Sequence, residues 1–130
     1  MTQEEKQLLL NDICARLPYG AFIHYHWSRE GKTIDEDREL DFSDVETLKY
    51  NIENPQNYWC EISWKPYLRP MSSMTEEERK IYIEISSHLC GEIAAKTMID
   101  WLNKKGFDYS GLIPMGLALE AKEGMYEVQD

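Results

Sequence analysis

Apolar residues recur at helical spacing near the start of the chain, where Leu8, Leu9, Ile13 and Leu17 fall on one side. Thr2 and Glu5 precede them at capping-box spacing, the hydroxyl placed to accept from an amide that the carboxylate's own residue supplies. Pro18 and Gly20 then supply a stop, so a helix is predicted over 3–16. The period changes at AFIHYHWS, residues 21–28. Ala21, Ile23, Tyr25 and Trp27 alternate with Phe22, His24, His26 and Ser28, the two-residue period of a half-buried strand. REGKT, residues 29–33, reads as a turn with Gly31 at its tip, followed by a short returning strand at 32–34.

DEDRELDFSDVE, residues 35–46, holds seven acids and one arginine and reads as a loop. Ser43 and Glu46 have capping spacing, which predicts a short helix through VETLKYNI before the Asn54-Pro55 turn. NYWCEISW, residues 57–64, alternates again, with Tyr58, Cys60, Ile62 and Trp64 against Trp59, Glu61 and Ser63, and is predicted as a second strand. Lys65 and Arg69 each precede proline and are pushed toward extended backbone. KPYLRP is therefore expected to leave the sheet as an extended crossing, with Thr75 and Glu78 capping the helix that follows. IYIEISSHLCG fits both periods; the cap decides for a helix over 76–89 ended by Gly91. EIAAKTMIDWLNKKG gives a further helix with Ala94, Met98, Trp101 and Leu102 inward and Gly106 as its left-handed cap. A turn near 110–113 and a short strand at 117–121 complete the prediction. The fold class is α+β: one domain over 1–130, with an N-terminal helix, a small antiparallel sheet, two helices and a short C-terminal strand.

Composition narrows the function. With 24 acids against 14 bases and a formal charge of −10, the chain lacks the basic face needed for the phosphate backbone of nucleic acids or for an anionic membrane. A basic protein partner suits it. The three cysteines, Cys14, Cys60 and Cys90, are far apart and odd in number, which suggests neither a zinc site nor a disulfide framework and points to a reducing, cytoplasmic setting. No signal-peptide pattern and no membrane-length apolar run is present.

Two constellations could bind metal. Asp35, Asp37, Glu39, Asp41, Ser43 and Glu46 fall at positions one, three, five, seven, nine and twelve of a calcium loop, but Leu40 stands where that loop needs glycine. His24 and His26 share a strand face and could take a metal with Glu61 as third ligand, although alternating histidines on a wet strand face are common without one. The serines lack a nucleophile elbow and the glycines form no phosphate loop. No catalytic residue and no cofactor is therefore assigned.

MTQEEKQLLLNDICARLPYG, KPYLRPMSSMTEEER and DWLNKKGFDYSGLIPMGLALEAKEGMY together resemble a family of small uncharacterised proteins of phages and prophage-like elements of gut bacteria. The resemblance covers about half the chain and excludes residues 21–63. It implies a mobile-element setting and no particular activity, cofactor or site. The expectation is a non-enzymatic accessory protein acting through protein–protein contact at an acidic surface. A metal-binding module or metal-dependent enzyme built on His24 and His26, and a structural phage component, are the alternatives. The sequence sets no oligomeric state.

Overall fold

A computed structural model describes residues 1–56, 62–88 and 91–126. Helix α1 (Gln3–Arg16) begins where the capping pattern places it: the Thr2 side chain accepts from the Glu5 N–H at 3.0 Å, and Glu5 accepts from the Thr2 N–H at 2.7 Å. Its inner side buries Leu9 and Ile13 together with an ion pair, Asp12 and Arg16. Arg16 holds the Asp12 carboxylate with Nε and Nη2, and Nη2 also donates to the Phe107 carbonyl at 2.6 Å. The guanidinium lies 4.8 Å from the Tyr109 ring centroid, so one side chain ties the first helix to a loop ninety residues later.

Strands β1 (Phe22–Arg29) and β2 (Lys32–Glu39) form an antiparallel hairpin. Glu30 and Gly31 at its tip both have positive φ, 52° and 79°, the two-residue turn whose twist matches that of the strands. The returning strand is therefore eight residues long, not three. Residues 35–39, expected as loop, belong to it.

Helix α2 (Phe42–Glu53) is capped by Asp41 rather than by Ser43. The Asp41 carboxylate accepts from the Ser43 and Asp44 amides, and Asp44 accepts from the Asp41 N–H at 3.0 Å. Buried Leu40 turns the chain inward directly after β2, so the aspartate reaches the helix start first.

Strand β3 (Trp64–Leu68) lies between β1 and the short β4 (Leu119–Glu120), in the order β2-β1-β3-β4. KPYL is thus inside the sheet, not a crossing that leaves it. Of the strand expected over 57–64, residues 57–61 lie outside the described residues. Pro66 is tolerated because of its phase. His26 N–H donates to Ser63 O, so pairs bonded to β1 recur at every second position and Pro66, opposite Ile23, falls between them. β4 joins β3 in parallel, which makes the sheet mixed.

Helices α3 (Glu76–His88) and α4 (Gly91–Lys105) follow and contact each other. Gly91 opens the second helix and does not end the first. Arg69 secures the start of α3 by a two-pronged bond to Glu78, at 2.6 and 2.7 Å. The core lies on one face of the sheet, where Ile23, Leu68 and Trp64 meet Leu9, Ile13 and Leu48 of α1 and α2.

On the other face Tyr126 is spliced into the sheet. The Tyr126 hydroxyl donates to Tyr67 O at 2.6 Å and accepts from Phe22 N at 3.1 Å, taking the place of a direct β1–β3 bond. Its ring lies over Gly106, where a Cβ would come within 2.7 Å of it. Among the described residues no helix is long and apolar enough to cross a membrane.

Candidate functional site on the outer sheet face and edge

The alternation of β1 puts His24 and His26 on the face opposite the core, and the hairpin register sets Asp37 opposite His24 and Asp35 opposite His26. Side chains approach closely in such cross-strand pairs. His24 Nδ1 lies 2.7 Å from Asp37 Oδ1, and its Nε2 lies 2.5 Å from Asp35 Oδ1. His26 is a looser neighbour, 3.8 Å from the same Asp35 oxygen.

Two further residues complete the cluster, and neither stands out in the sequence. The Tyr67 hydroxyl donates to Asp37 Oδ1 at 2.7 Å, and Lys122 Nζ donates to Asp37 Oδ2 at 2.5 Å. The Lys122 ammonium also sits 5.6 Å from the Tyr67 ring centroid. Tyr67 arrives because β3 pairs with β1; Lys122 arrives because the chain continues past β4 across the same face. Only the sheet register could have announced them.

Asp37 thus receives three donors. Lys122 first, then His24 and Tyr67, hold its carboxyl far below the ordinary aspartate range. Burial, and then the hydrogen bond to Asp37, raise the Tyr67 phenol. The hydrogen bond to Asp37 raises the Lys122 amine. A carboxylate held this firmly in its ionised form is a fixed negative anchor and does not carry protons near neutral pH. The cluster orients its own members, setting Asp35 and Asp37 along the strand.

The six-residue calcium pattern is dispersed by the fold. Asp35, Asp37 and Glu39 stand in line on an extended strand, about 7 Å apart at two residues' rise. Asp41 and Ser43 belong to the cap of α2, and Glu46 is exposed on that helix. Such a line does not surround a cation. Among the described residues no group of three or more His, Cys, Asp or Glu could hold a metal ion. Glu61, the expected third ligand for His24 and His26, lies outside the described residues.

Among the described residues, the edge of the sheet beside this cluster is open. Leu40 N–H donates to Ala21 O at 2.8 Å, which sets the phase of the hairpin ladder. Arg38, Glu36 and Ile34 therefore exchange bonds with β1, while Thr33, Asp35, Asp37 and Glu39 turn their N–H and C=O groups away from it. The residues with outward backbone are the ones that carry the aligned carboxylates. Along β2 every side chain but that of Arg38 is exposed. Arg38 alone turns back, donating to both Asp44 oxygens at 2.7 and 2.8 Å and fastening the strand to α2.

Compared with family models, with curated proteins and with solved structures, the chain finds no match.

Proposed function

We propose that the protein is a non-enzymatic binding module that takes an extended, basic segment of a protein partner along the outer edge of β2. The observation that carries this reading is the eight-residue edge strand itself, with a backbone row unpaired among the described residues and its outer-face acids in one line. An incoming strand completes the ladder at an open edge, and main-chain bonds supply affinity while alternate side chains supply selectivity. Here the alternate positions are Asp35, Asp37 and Glu39; Asp37 is already paired with Lys122, so the preferred strand carries Lys or Arg opposite Asp35 and Glu39. A net charge of −10 draws such a segment in and disfavours nucleic acid. The cluster behind the edge assists, because His24, Tyr67 and Lys122 hold Asp37 in a set direction before any partner arrives. The resemblance to phage-type proteins and the reduced-thiol composition support an accessory role in a host cytoplasm.

The test is titration with a synthetic peptide of alternating Lys and Val, followed by calorimetry and by amide shifts. Shifts centred on residues 33–39, with affinity falling as salt rises, are expected. Asp35→Lys with Glu39→Lys should weaken the peptide by at least tenfold. Equal binding by this double variant, or shifts centred elsewhere, would overturn the assignment.

A further inference from the structure

The acidic line of β2 stops at Glu39, and a cavity begins there. Among the described residues, a hollow of about 190 Å³ is lined by Glu39, Tyr19, Phe22, Lys104, Met125 and Tyr126. Phe22 shares the outer face with His24 and His26 and stands opposite Glu39 in the hairpin. Past Glu39, buried Leu40 takes the chain inward, so β2 does not continue along the edge. The hollow therefore adjoins the face that carries the aligned acids, at the end where they stop.

Its walls are set in advance. The Tyr126 hydroxyl is fixed between Phe22 N and Tyr67 O, and its ring meets the Phe22 ring edge-on at 5.7 Å. The Tyr19 hydroxyl is hydrogen-bonded to Asp100. Walls held in this way need little reordering when a group enters, which lowers the cost of binding. Size and charge then say what enters. Sites for free small molecules span about 300–1,000 Å³. A hollow of about 190 Å³ suits a single side chain of a larger partner. Three rings and a thioether favour an apolar or aromatic group. The Lys104 ammonium repels a second base, and Glu39 repels an acid.

We propose that this hollow is the anchor subsite of the β2 edge, taking one apolar or aromatic side chain of the basic segment that adds to the strand. The proposal rests on the edge reading and gives the partner a second, non-electrostatic determinant. In strand addition, pockets for alternate side chains supply the selectivity. Antiparallel pairing is the more stable arrangement, so the segment runs from Glu39 toward Asp35. Side chains on one face recur at every second residue, and the anchor is the next one outward from the base that faces Glu39. The segment thus reads Phe-x-Lys-x-Thr-x-Lys. Its two bases face Glu39 and Asp35, and an uncharged residue faces Asp37, which Lys122 already holds.

The experiment is calorimetry and amide shifts on the full chain with the acetylated peptide Phe-Thr-Lys-Val-Thr-Val-Lys and its counterpart with Ala in place of Phe. The Phe peptide should bind about tenfold tighter, as expected for a buried aromatic anchor. Its shifts should extend from residues 33–39 to residues 19–22 and 125. Tyr19→Ala, at an exposed position, should remove most of that advantage. Should this variant disturb folding, Lys104→Glu on the exposed rim serves instead, and should raise the affinity of a peptide that begins with Lys in place of Phe about fivefold. Equal affinity of the Phe and Ala peptides, with shifts centred on 33–39, would overturn the subsite and leave the edge reading standing. Absence of binding by either peptide would overturn both. A Phe advantage that persists in folded Tyr19→Ala, or a Lys-first peptide that gains nothing from Lys104→Glu, would also overturn the subsite.

Discussion

Helices α1 and α3 start alike and end up in different surroundings. Each opens with Thr-x-x-Glu, and in each both reciprocal cap bonds are made. They differ by a single residue in length. Yet α1 buries Leu9, Asp12, Ile13 and Arg16, and α3 buries nothing. A cap specifies where a helix begins and carries no information about what will cover it. Coverage depends on which distant segments fold back: α2 and the Phe107–Tyr109 loop pack onto α1, while α3 contacts α4 and buries no residue.

The contrast can be broken most forcefully at Arg16. Arg16→Ala leaves the Asp12 carboxylate buried without its cation and the Phe107 carbonyl without its donor, and should cost about 3–5 kcal/mol in urea unfolding. No exposed charge on α3 should approach this. Next comes a matched pair of truncations. Ile13→Ala should cost about 2–5 kcal/mol, as expected for a fully buried aliphatic chain. Ile83→Ala, at an exposed position, should stay within about 0.5 kcal/mol. Similar losses at both positions would show that the difference in burial does not translate into stability.

An effect smaller than either loss in the buried helix sharpens the comparison at the foot of α3. The hydrogen bonds from Arg69 hold the Glu78 carboxyl at about 2, below its ordinary 4.5. The unfolded chain therefore takes up this proton first as pH falls. The stabilisation is complete above about 4.5 and disappears as pH drops toward 2. Glu78→Gln should lower stability at pH 7 by about 1 kcal/mol, allowing for solvent screening, and the two proteins should converge in acid. Thermal melts between pH 2 and 7 provide the check.

How much of this was legible depends on the range of the information. The limits of α1, the strand phase of β1 and the Gly106 cap follow from signals within a few residues of one another, and all are found where the sequence puts them. The acidic run misled because charge was read as loop. A strand at the edge of a sheet need not be apolar, and the two positive-φ residues at 30 and 31 commit the chain to return in register. Pro66 misled for a related reason, since proline weakens a strand only where its missing N–H is needed. His24, His26, Asp35 and Asp37 were visible as residues on alternate positions, but their meeting needs the exact hairpin register; a slip of one would send the carboxylates to the other face. Tyr67 and Lys122 come from 30 and 85 residues beyond Asp37 and left no local trace.

The Tyr126 hydroxyl that bridges β1 and β3 also bears on how the chain is made. Phe22 and Tyr126 are 104 residues apart, and closing so long a segment is an entropic cost met late in folding. On a ribosome, β1 and β3 would be available well before the residue that completes their junction. During that interval Phe22 N–H and Tyr67 C=O lack this bridge, while the β1–β2 hairpin and the remaining β1–β3 bonds can already form. Closing of this junction thus waits for residue 126, long after the strands that it joins have been made.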